Sequence, residues 1–195
     1  MKKLTLLIGV PLALGLVALV VAAPPWAVDA PERNDNPRVV LHTTEGDIVI
    51  EMYVDEAPLA TARFMDNTAR GVFDGTIFHD VSVDMVYGGV RFADGTFQGM
   101  FYGNPPPSEE DNGLTHRRGS VGTVEYDPDY QSGEFYVALC AIPHFDGKLT
   151  IFGEVLAGMD IVEHVAASAP EGGCMPEKIP PLIVTITGAE LLGTR

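Results

Sequence analysis

The chain has 195 residues, of which 46% are hydrophobic, and its formal net charge at pH 7 is −15. That length suits one domain of ordinary size with an appendage. The acidic balance argues against nucleic acid as a partner and against docking on anionic lipid.

An apolar segment at the N-terminus follows two lysines. Residues 4–23 are uncharged and long enough for a membrane span, which needs about 20 apolar residues. The same pattern fits a secretory signal, so residues 1–23 are a signal peptide or a membrane anchor. We therefore expect an exported domain, periplasmic or otherwise extracytoplasmic, which residues 4–23 would hold in the inner membrane if they are not cleaved. The proline-rich stretch 24–37 indicates a semi-extended tether, and residues 38–195 form the folded domain.

Two strands and a helix are predicted at the start of this domain. Residues 39–43 and 48–54 flank a turn at 45–47 and are predicted as strands, and in the second of them apolar residues alternate at 48, 50, 52 and 54. Pro58 suits the first turn of a helix, and Gly71 marks the end of that helix. The short alternating segments that follow favour a barrel or a sandwich.

The stretch Phe78–Gly89 reads Phe-His-Asp-Val-Ser-Val-Asp-Met-Val-Tyr-Gly-Gly, an imperfect strand pattern closed by a glycine pair. It resembles the catalytic segment of the cyclophilins, peptidyl-prolyl isomerases in which this segment runs Phe-His-Arg-Val-Ile-x-x-Phe-Met-x-Gln-Gly-Gly. One residue of the connecting turn is missing here. Asp80 stands at the family's Arg position, Asp84 at its Phe and Tyr87 at its Gln. The segment therefore matches the family at the scaffold positions and differs from it at the positions that carry the chemistry.

Further motifs continue the resemblance in the family's order. They are Thr-x-x-Gly-x-Ile-x-Ile with Ala-Pro at 43–58, Leu-x-x-x-Arg-Gly at 114–119, Ser132–Val137, Phe145–Lys148 and Phe-Gly-x-Val at 152–155. Residues 90–107 are rich in glycine and proline and are predicted as a loop. A second helix at 159–167 and a last strand at 182–192 complete the pattern. The resemblance implies an all-β fold, a closed eight-stranded antiparallel barrel capped by two α-helices.

The resemblance also implies a groove that binds a proline ring. Its substrate-binding positions are Asp84, Met85, Tyr87, Glu134, Tyr136, His144, Phe145 and Leu149. Rotation about the prolyl peptide bond loses amide resonance, with a barrier of about 18–20 kcal/mol, and the family's Arg donates a hydrogen bond towards the twisted amide. A carboxylate only accepts hydrogen bonds at neutral pH, so Asp80 has the wrong charge for this task. We therefore assign no catalytic residue with confidence.

Carboxylates gather in this groove by the resemblance, at Asp80, Asp84, Glu125 and Glu134. Clustered carboxylates repel, and a cation or a partner's Lys or Arg relieves the repulsion. We therefore expect proline-containing segments, including basic ones, as partners. A metal ion is the weaker alternative, because no local ligand spacing supports it, and no cofactor is predicted. Arg91 is the one arginine that could fold back to replace the missing donor.

The sequence therefore predicts an exported, cyclophilin-like binding module with weak or absent isomerase activity. Binding and catalysis are separable, because acceleration needs interactions that are stronger in the twisted state. An active isomerase assisting the folding of exported proteins is the alternative, and a scaffold in a membrane assembly is a third reading. We expect a monomer. His42 and His164 are interpreted as ordinary strand and helix residues, and pairing of Cys140 with Cys174 stays open.

Overall fold

The structure is a computed structural model that describes residues 36–98, 101–102, 107–124, 130–131, 133–169 and 182–193. The predictions for residues 1–35, for Glu125 and for Cys174 lie outside these ranges. Within the described ranges, no helix has the length and apolar character needed to span a membrane.

The described residues form ten strands, two α-helices and one short 3-10 helix. In chain order these are β1 Arg38–Thr43, β2 Gly46–Met52, α1 Pro58–Ala69, β3 Thr76–Val81, β4 Met85–Phe92, β5 Phe101–Tyr102, β6 Ser120–Thr123, β7 Tyr130–Gln131, β8 Phe135–Ala138, the 3-10 helix Pro143–Phe145, β9 Ile151–Ala157, α2 Met159–Ser168 and β10 Ile186–Leu192.

Eight of the strands form one antiparallel sheet in the order β10-β1-β2-β9-β6-β8-β4-β3, and β5 pairs with β7 in a separate ribbon. The first and last strands of the sheet meet, because the N–H of Phe78 donates to the carbonyl of Val184 at 3.2 Å and the N–H of Gly75 donates to that of Ile186 at 2.8 Å. Closing a sheet in this way removes exposed strand edges. The predicted eight-stranded antiparallel barrel with two helices is confirmed.

The barrel interior is apolar and rich in phenylalanine. The ring of Phe64 on α1 lies 4.9 Å from that of Phe73, 5.0 Å from that of Phe152 and 5.5 Å from that of Phe135. Phe135 and Val137 point inward from β8 and are about fully buried. Because side chains alternate along a strand, Tyr136, which lies between Phe135 and Val137, points to the other face.

A distant carboxylate caps the start of α1. Ala57, at the N-cap position, supplies no side-chain hydrogen bond. The carboxylate of Glu109 instead accepts the N–H of Leu59 at 2.9 Å and that of Ala60 at 2.8 Å. Such bonds satisfy amides that no carbonyl within the helix can reach. At the other end, Gly71 with φ of 67° follows the helix, as predicted.

The stretch Phe78–Gly89 is a hairpin rather than one strand. β3 and β4 meet at a tight turn in which Ser82 Oγ accepts the N–H of Met85 at 3.0 Å. The glycine pair does not close a strand, because β4 runs through it to Phe92 and the predicted loop begins later. Gly89 has φ of 103°, and a Cβ there would lie 2.7 Å from the carbonyl oxygen of Gly133. Glycine is therefore needed for close backbone approach at this point, not for chain reversal.

Candidate functional site

A second apolar cluster lies on the outer face of the barrel sheet. Its buried members are Met85, Tyr136, Ala138 and Ile142, and the partly buried Tyr87, Val124, Phe145 and Leu149 pack against them. The cross-strand pairs Met85–Ala138 and Tyr87–Tyr136 place these side chains on one face of β4 and β8. We call the surface formed by Met85, Tyr87, Tyr136, Phe145 and Leu149 the groove surface. It brings together five of the residues selected from sequence.

Asp80 lies beside the groove surface. It is the cross-strand partner of Tyr87, so the two side chains share a face. Asp80 is half-buried, and its Oδ1 accepts the N–H of Val81 at 2.8 Å. Within the described residues neither Asp80 nor Asp84 forms an ion pair. The family's Arg position therefore carries a hydrogen-bond acceptor, Asp80, and no cation pairs with it within the described residues.

Asp84 occupies the hairpin turn at the edge of the groove surface. Its backbone carbonyl accepts the N–H of Leu139 at 2.8 Å, which ties the turn to the end of β8. Its Oδ1 accepts a hydrogen bond from the thiol of Cys140 at 3.5 Å. Cys140 is an exposed free cysteine. Desolvation of its thiol, and then the Asp84 carboxylate, raise its pKa. The structure therefore gives the half-buried Asp84 a structural role in the turn as well as a charge beside the groove surface.

Glu134 does not stand as an exposed carboxylate on the groove surface. Its side chain is 8% exposed, and its Oε1 lies 2.7 Å from Nε2 of His79, which is 5% exposed. It lines a small cavity under α1 that Arg63 and Asn67 also line. Of the four expected carboxylates, Asp80 and Asp84 lie beside the groove surface, Glu125 lies outside the described residues, and His79 pairs with Glu134. Its assignment to substrate binding stays a prediction.

The rim of the groove surface is the 3-10 helix and the turn after it. His144 is exposed, and its ring centre lies 4.3 Å from that of Phe145. Phe145 and Leu149 are half-buried against Tyr136 and Met85. The rim therefore offers aromatic and aliphatic surface beside a polar imidazole.

Tyr136 is fully buried, and its hydroxyl belongs to a chain of three side chains. Its Oη lies 2.8 Å from Nε2 of His116, whose Nδ1 lies 2.8 Å from Oδ1 of Asp146. The same oxygen accepts the backbone N–H of His116 at 2.7 Å. The backbone and side-chain hydrogen bonds from His116 hold the pKa of Asp146 below its usual value.

Arg91, the arginine considered as a substitute donor, makes its contacts elsewhere, as do Arg117 and Arg118. The guanidinium of Arg91 lies 4.5 Å from the ring centre of Phe97. Arg117 pairs with Glu154, and Arg118 pairs with Glu163 at 2.6 Å. None of these contacts brings a guanidinium to Asp80, so Arg91 is not seen to replace the donor.

Tyr53 joins the ion pair between Arg117 and Glu154. Its hydroxyl donates to Glu154 Oε2 at 2.7 Å. Burial, and then Glu154, raise the pKa of Tyr53. Burial acts to raise the pKa of Glu154, but hydrogen bonds from Arg117 and Tyr53 outweigh it and lower that pKa. This network stabilises β2 against β9 and lies on strands other than those of the groove surface.

The structure bears on the metal alternative, and it also shows two residue pairs that the sequence did not predict. In the described ranges, no three His, Cys, Asp or Glu side chains are grouped so that they could hold a metal ion. The pairs His116–Asp146 and His79–Glu134 were missed because 30 and 55 residues separate their members. Only the approximate match of their surroundings to family motifs could have drawn attention to them.

Comparison with known proteins gives a consistent result. The family model described as cyclophilin type peptidyl-prolyl cis-trans isomerase matches residues 38–190. Peptidyl-prolyl cis-trans isomerase 10 of Caenorhabditis elegans is 36% identical over 132 residues, which cover 65% of this chain and 80% of that protein. Peptidyl-prolyl cis-trans isomerase-like 1 of Rhizopus delemar is 34% identical over 134 residues, covering 68% and 81%. A crystal structure of a Cryptosporidium parvum cyclophilin type isomerase superposes with a TM-score of 0.61 at 19% identity, over 82% of this chain and 99% of that one.

Proposed function

The chain belongs to the cyclophilin-type peptidyl-prolyl cis-trans isomerase family, and on that premise we propose that its groove surface binds proline-containing polypeptide segments with weak or absent isomerase activity. The observation that carries the proposal is Asp80, a half-buried carboxylate beside Tyr87 on the groove surface. The half-buried apolar side chains of Phe145 and Leu149, which pack over the buried Met85, support contact with a pyrrolidine ring.

The chemistry separates binding from catalysis at this position. Twisting the prolyl bond turns the nitrogen lone pair into a hydrogen-bond acceptor, which a donor stabilises. An ionised Asp80 offers lone pairs to that nitrogen and repels it. Loss of one positioned donor costs about 10²- to 10³-fold in rate, whereas the apolar contacts that hold the ring are unaffected.

The carboxylates of Asp80 and Asp84 favour segments with Lys or Arg next to the proline. Calorimetry should show tighter binding of a Lys-Pro peptide than of a Glu-Pro peptide, with the difference shrinking as salt is added. Equal affinities for both peptides would remove the basic preference and leave proline binding in place.

An isomerisation assay with an Ala-Pro peptide tests the central claim. The natural protein should be slow, and Asp80→Arg should raise the rate by about 10²-fold because it restores a donor. Asp84→Arg is the matched control, since it makes the same change of charge at the turn without placing a donor beside Tyr87. A fast natural protein that Asp80→Arg does not improve would contradict the proposal.

A second candidate, an active isomerase, is favoured by one observation. Tyr87 is half-buried on the groove surface, and its hydroxyl lies 3.4 Å from Sδ of Met85, a weak acceptor. A phenol is a neutral donor at pH 7, so this hydroxyl could serve the twisted amide. Under this candidate, Tyr87→Phe abolishes a measurable rate while peptide affinity is retained.

The proposal also covers location and assembly. The basic start and the apolar residues 4–23 support export, with the domain either released or held at the inner membrane. Mass spectrometry of the mature N-terminus and fractionation of cells distinguish the two. Sedimentation of the soluble domain tests the expected monomer.

A further inference from the structure

The side chain of Tyr136 forms the buried base of the groove surface, and its hydroxyl bonds to His116 inside the protein. We propose that His116 and Asp146 are positioning residues that anchor the Tyr136 side chain beneath the groove. The half-buried side chains packed against it then keep the positions in which they meet a bound segment. This inference rests on the proposed function for its ligand, a proline-containing peptide. It concerns residues that do not themselves touch the ligand.

The hydrogen-bond chain has a defined direction. Asp146 accepts two N–H groups of His116 on one oxygen, the backbone N–H at 2.7 Å and Nδ1 at 2.8 Å. An ionised carboxylate can only accept, so the proton of a neutral imidazole lies on Nδ1. Nε2 then carries a lone pair, and the O–H of Tyr136, 2.8 Å away, donates to it. Asp146 thus fixes the tautomer that the tyrosine needs.

The hydroxyl fills a space that the neighbouring strand leaves open. Gly122 on β6 is the cross-strand partner of Tyr136, and a Cβ at Gly122 would lie 2.1 Å from Oη of Tyr136. The His116 ring stacks beside the Tyr136 ring with 5.8 Å between centres and 23° between planes. The tyrosine is therefore held by a hydrogen bond at its tip, a ring beside it and a glycine across from it.

The anchor also connects the base of the groove surface to its rim. Asp146 directly follows Phe145, which packs against the cluster containing Tyr136. Two adjacent residues thus supply a side chain of the groove surface, Phe145, and the carboxylate that bonds His116, Asp146. His116 is 0% exposed and the Asp146 side chain is 27% exposed, so solvent reaches the outer end of the chain only. Without His116, the Tyr136 hydroxyl loses this hydrogen bond, and the half-buried side chains that pack against the tyrosine lose part of their support.

The test is a double-mutant cycle read by the Kd of an Ala-Pro peptide. We expect His116→Gln to weaken binding about tenfold in the natural background. In a Tyr136→Phe background there is no hydroxyl to hold, so adding His116→Gln should change the Kd by less than about twofold. An equal loss in both backgrounds, or no loss in either, would overturn the proposal, since a merely structural role predicts additive effects.

Two further measurements keep the inference testable if His116→Gln does not fold or no peptide binds. Asp146→Ala alters a partly exposed residue and should give the same pattern in the two backgrounds with a smaller amplitude. Nitrogen NMR of the natural protein should find His116 with its proton on Nδ1, and a proton on Nε2 alone would contradict the anchor. If the natural protein binds no peptide, the proposed function fails, while the NMR result still decides whether the anchor exists.

Discussion

The two faces of β4 and β8 differ although they belong to the same strands. The inner face, with Phe135 and Val137, packs against the phenylalanine cluster and contains apolar side chains. The outer face, with Tyr136, joins a buried hydrogen-bond chain and lies near Asp80. The inner residues form the core of the barrel, whereas under the proposed function the outer residues determine what the barrel binds. A family scaffold can therefore persist while its reaction site changes.

The largest expected effect tests the inner face. Phe135→Ala should lower the free energy of unfolding by about 3–5 kcal/mol, because it leaves a cavity among the rings of Phe64 and Phe73. Denaturant unfolding measures the loss. Phe97→Ala is the matched control, since that ring is 60% exposed and contacts Arg91, a pair worth about 0.5–1 kcal/mol. Similar losses for the two variants would contradict the assignment of Phe135 to the buried core that the inner face packs against.

A smaller effect tests how tightly the outer face is packed. Gly122→Ala should destabilise the protein by about 1–3 kcal/mol, because its Cβ would lie 2.2 Å from Cζ of Tyr136 and 2.5 Å from the carbonyl oxygen of Thr150. Gly188→Ala on β10 is the control, since no atom lies within 4 Å of its added Cβ. That control should change stability by less than about 0.5 kcal/mol. Urea unfolding of both variants gives the comparison, and a stable Gly122→Ala protein would show that Tyr136 can move.

The smallest expected effect concerns the pH dependence of the unfolding free energy, to which Asp146 below the outer face contributes. The folded-state pKa of Asp146 is lower than its unfolded value of about 3.9, so its contribution is present above that pH and is lost as pH falls through the folded pKa. Asp146→Asn should therefore flatten the decline of the unfolding free energy below about pH 4. Asp55→Asn controls for the loss of one exposed negative charge. Parallel declines for the natural protein and Asp146→Asn in urea melts from pH 7 to pH 3 would contradict the assignment.

The alternating segments alone predicted a barrel or a sandwich, and the closed eight-stranded barrel was predicted from the resemblance to the family. Phe78, Phe135 and Phe152 stand in segments that keep the family's order, and helix signals such as Pro58 and Gly71 act over a few residues. The division of Phe78–Gly89 into two strands was missed because alternation continues across the turn. A period of two residues cannot show where a chain reverses.

The chemistry of the site was less predictable because its partners come from distant parts of the chain. Glu134 was expected on the groove with Asp80, but its side chain bonds His79, and the sequence separation of 55 residues carries no signal of that contact. His116 was not selected at all, since a single histidine without ligand spacing looks ordinary. The groove positions themselves came from resemblance, and their roles in binding stay predictions.

The carboxylate of Glu109 at the start of α1 has a consequence for the order of folding. The helix receives its N-terminal cap from a residue 50 positions further along the chain, so its first turn gains full stability only after that long loop has closed. A peptide covering α1 alone should therefore fray at Leu59 and Ala60, and in the intact protein amide exchange at these two residues should quicken when Glu109→Gln is made. The first turn of α1 is thus completed late in folding, by a carboxylate from a distant part of the chain rather than by the helix's own sequence.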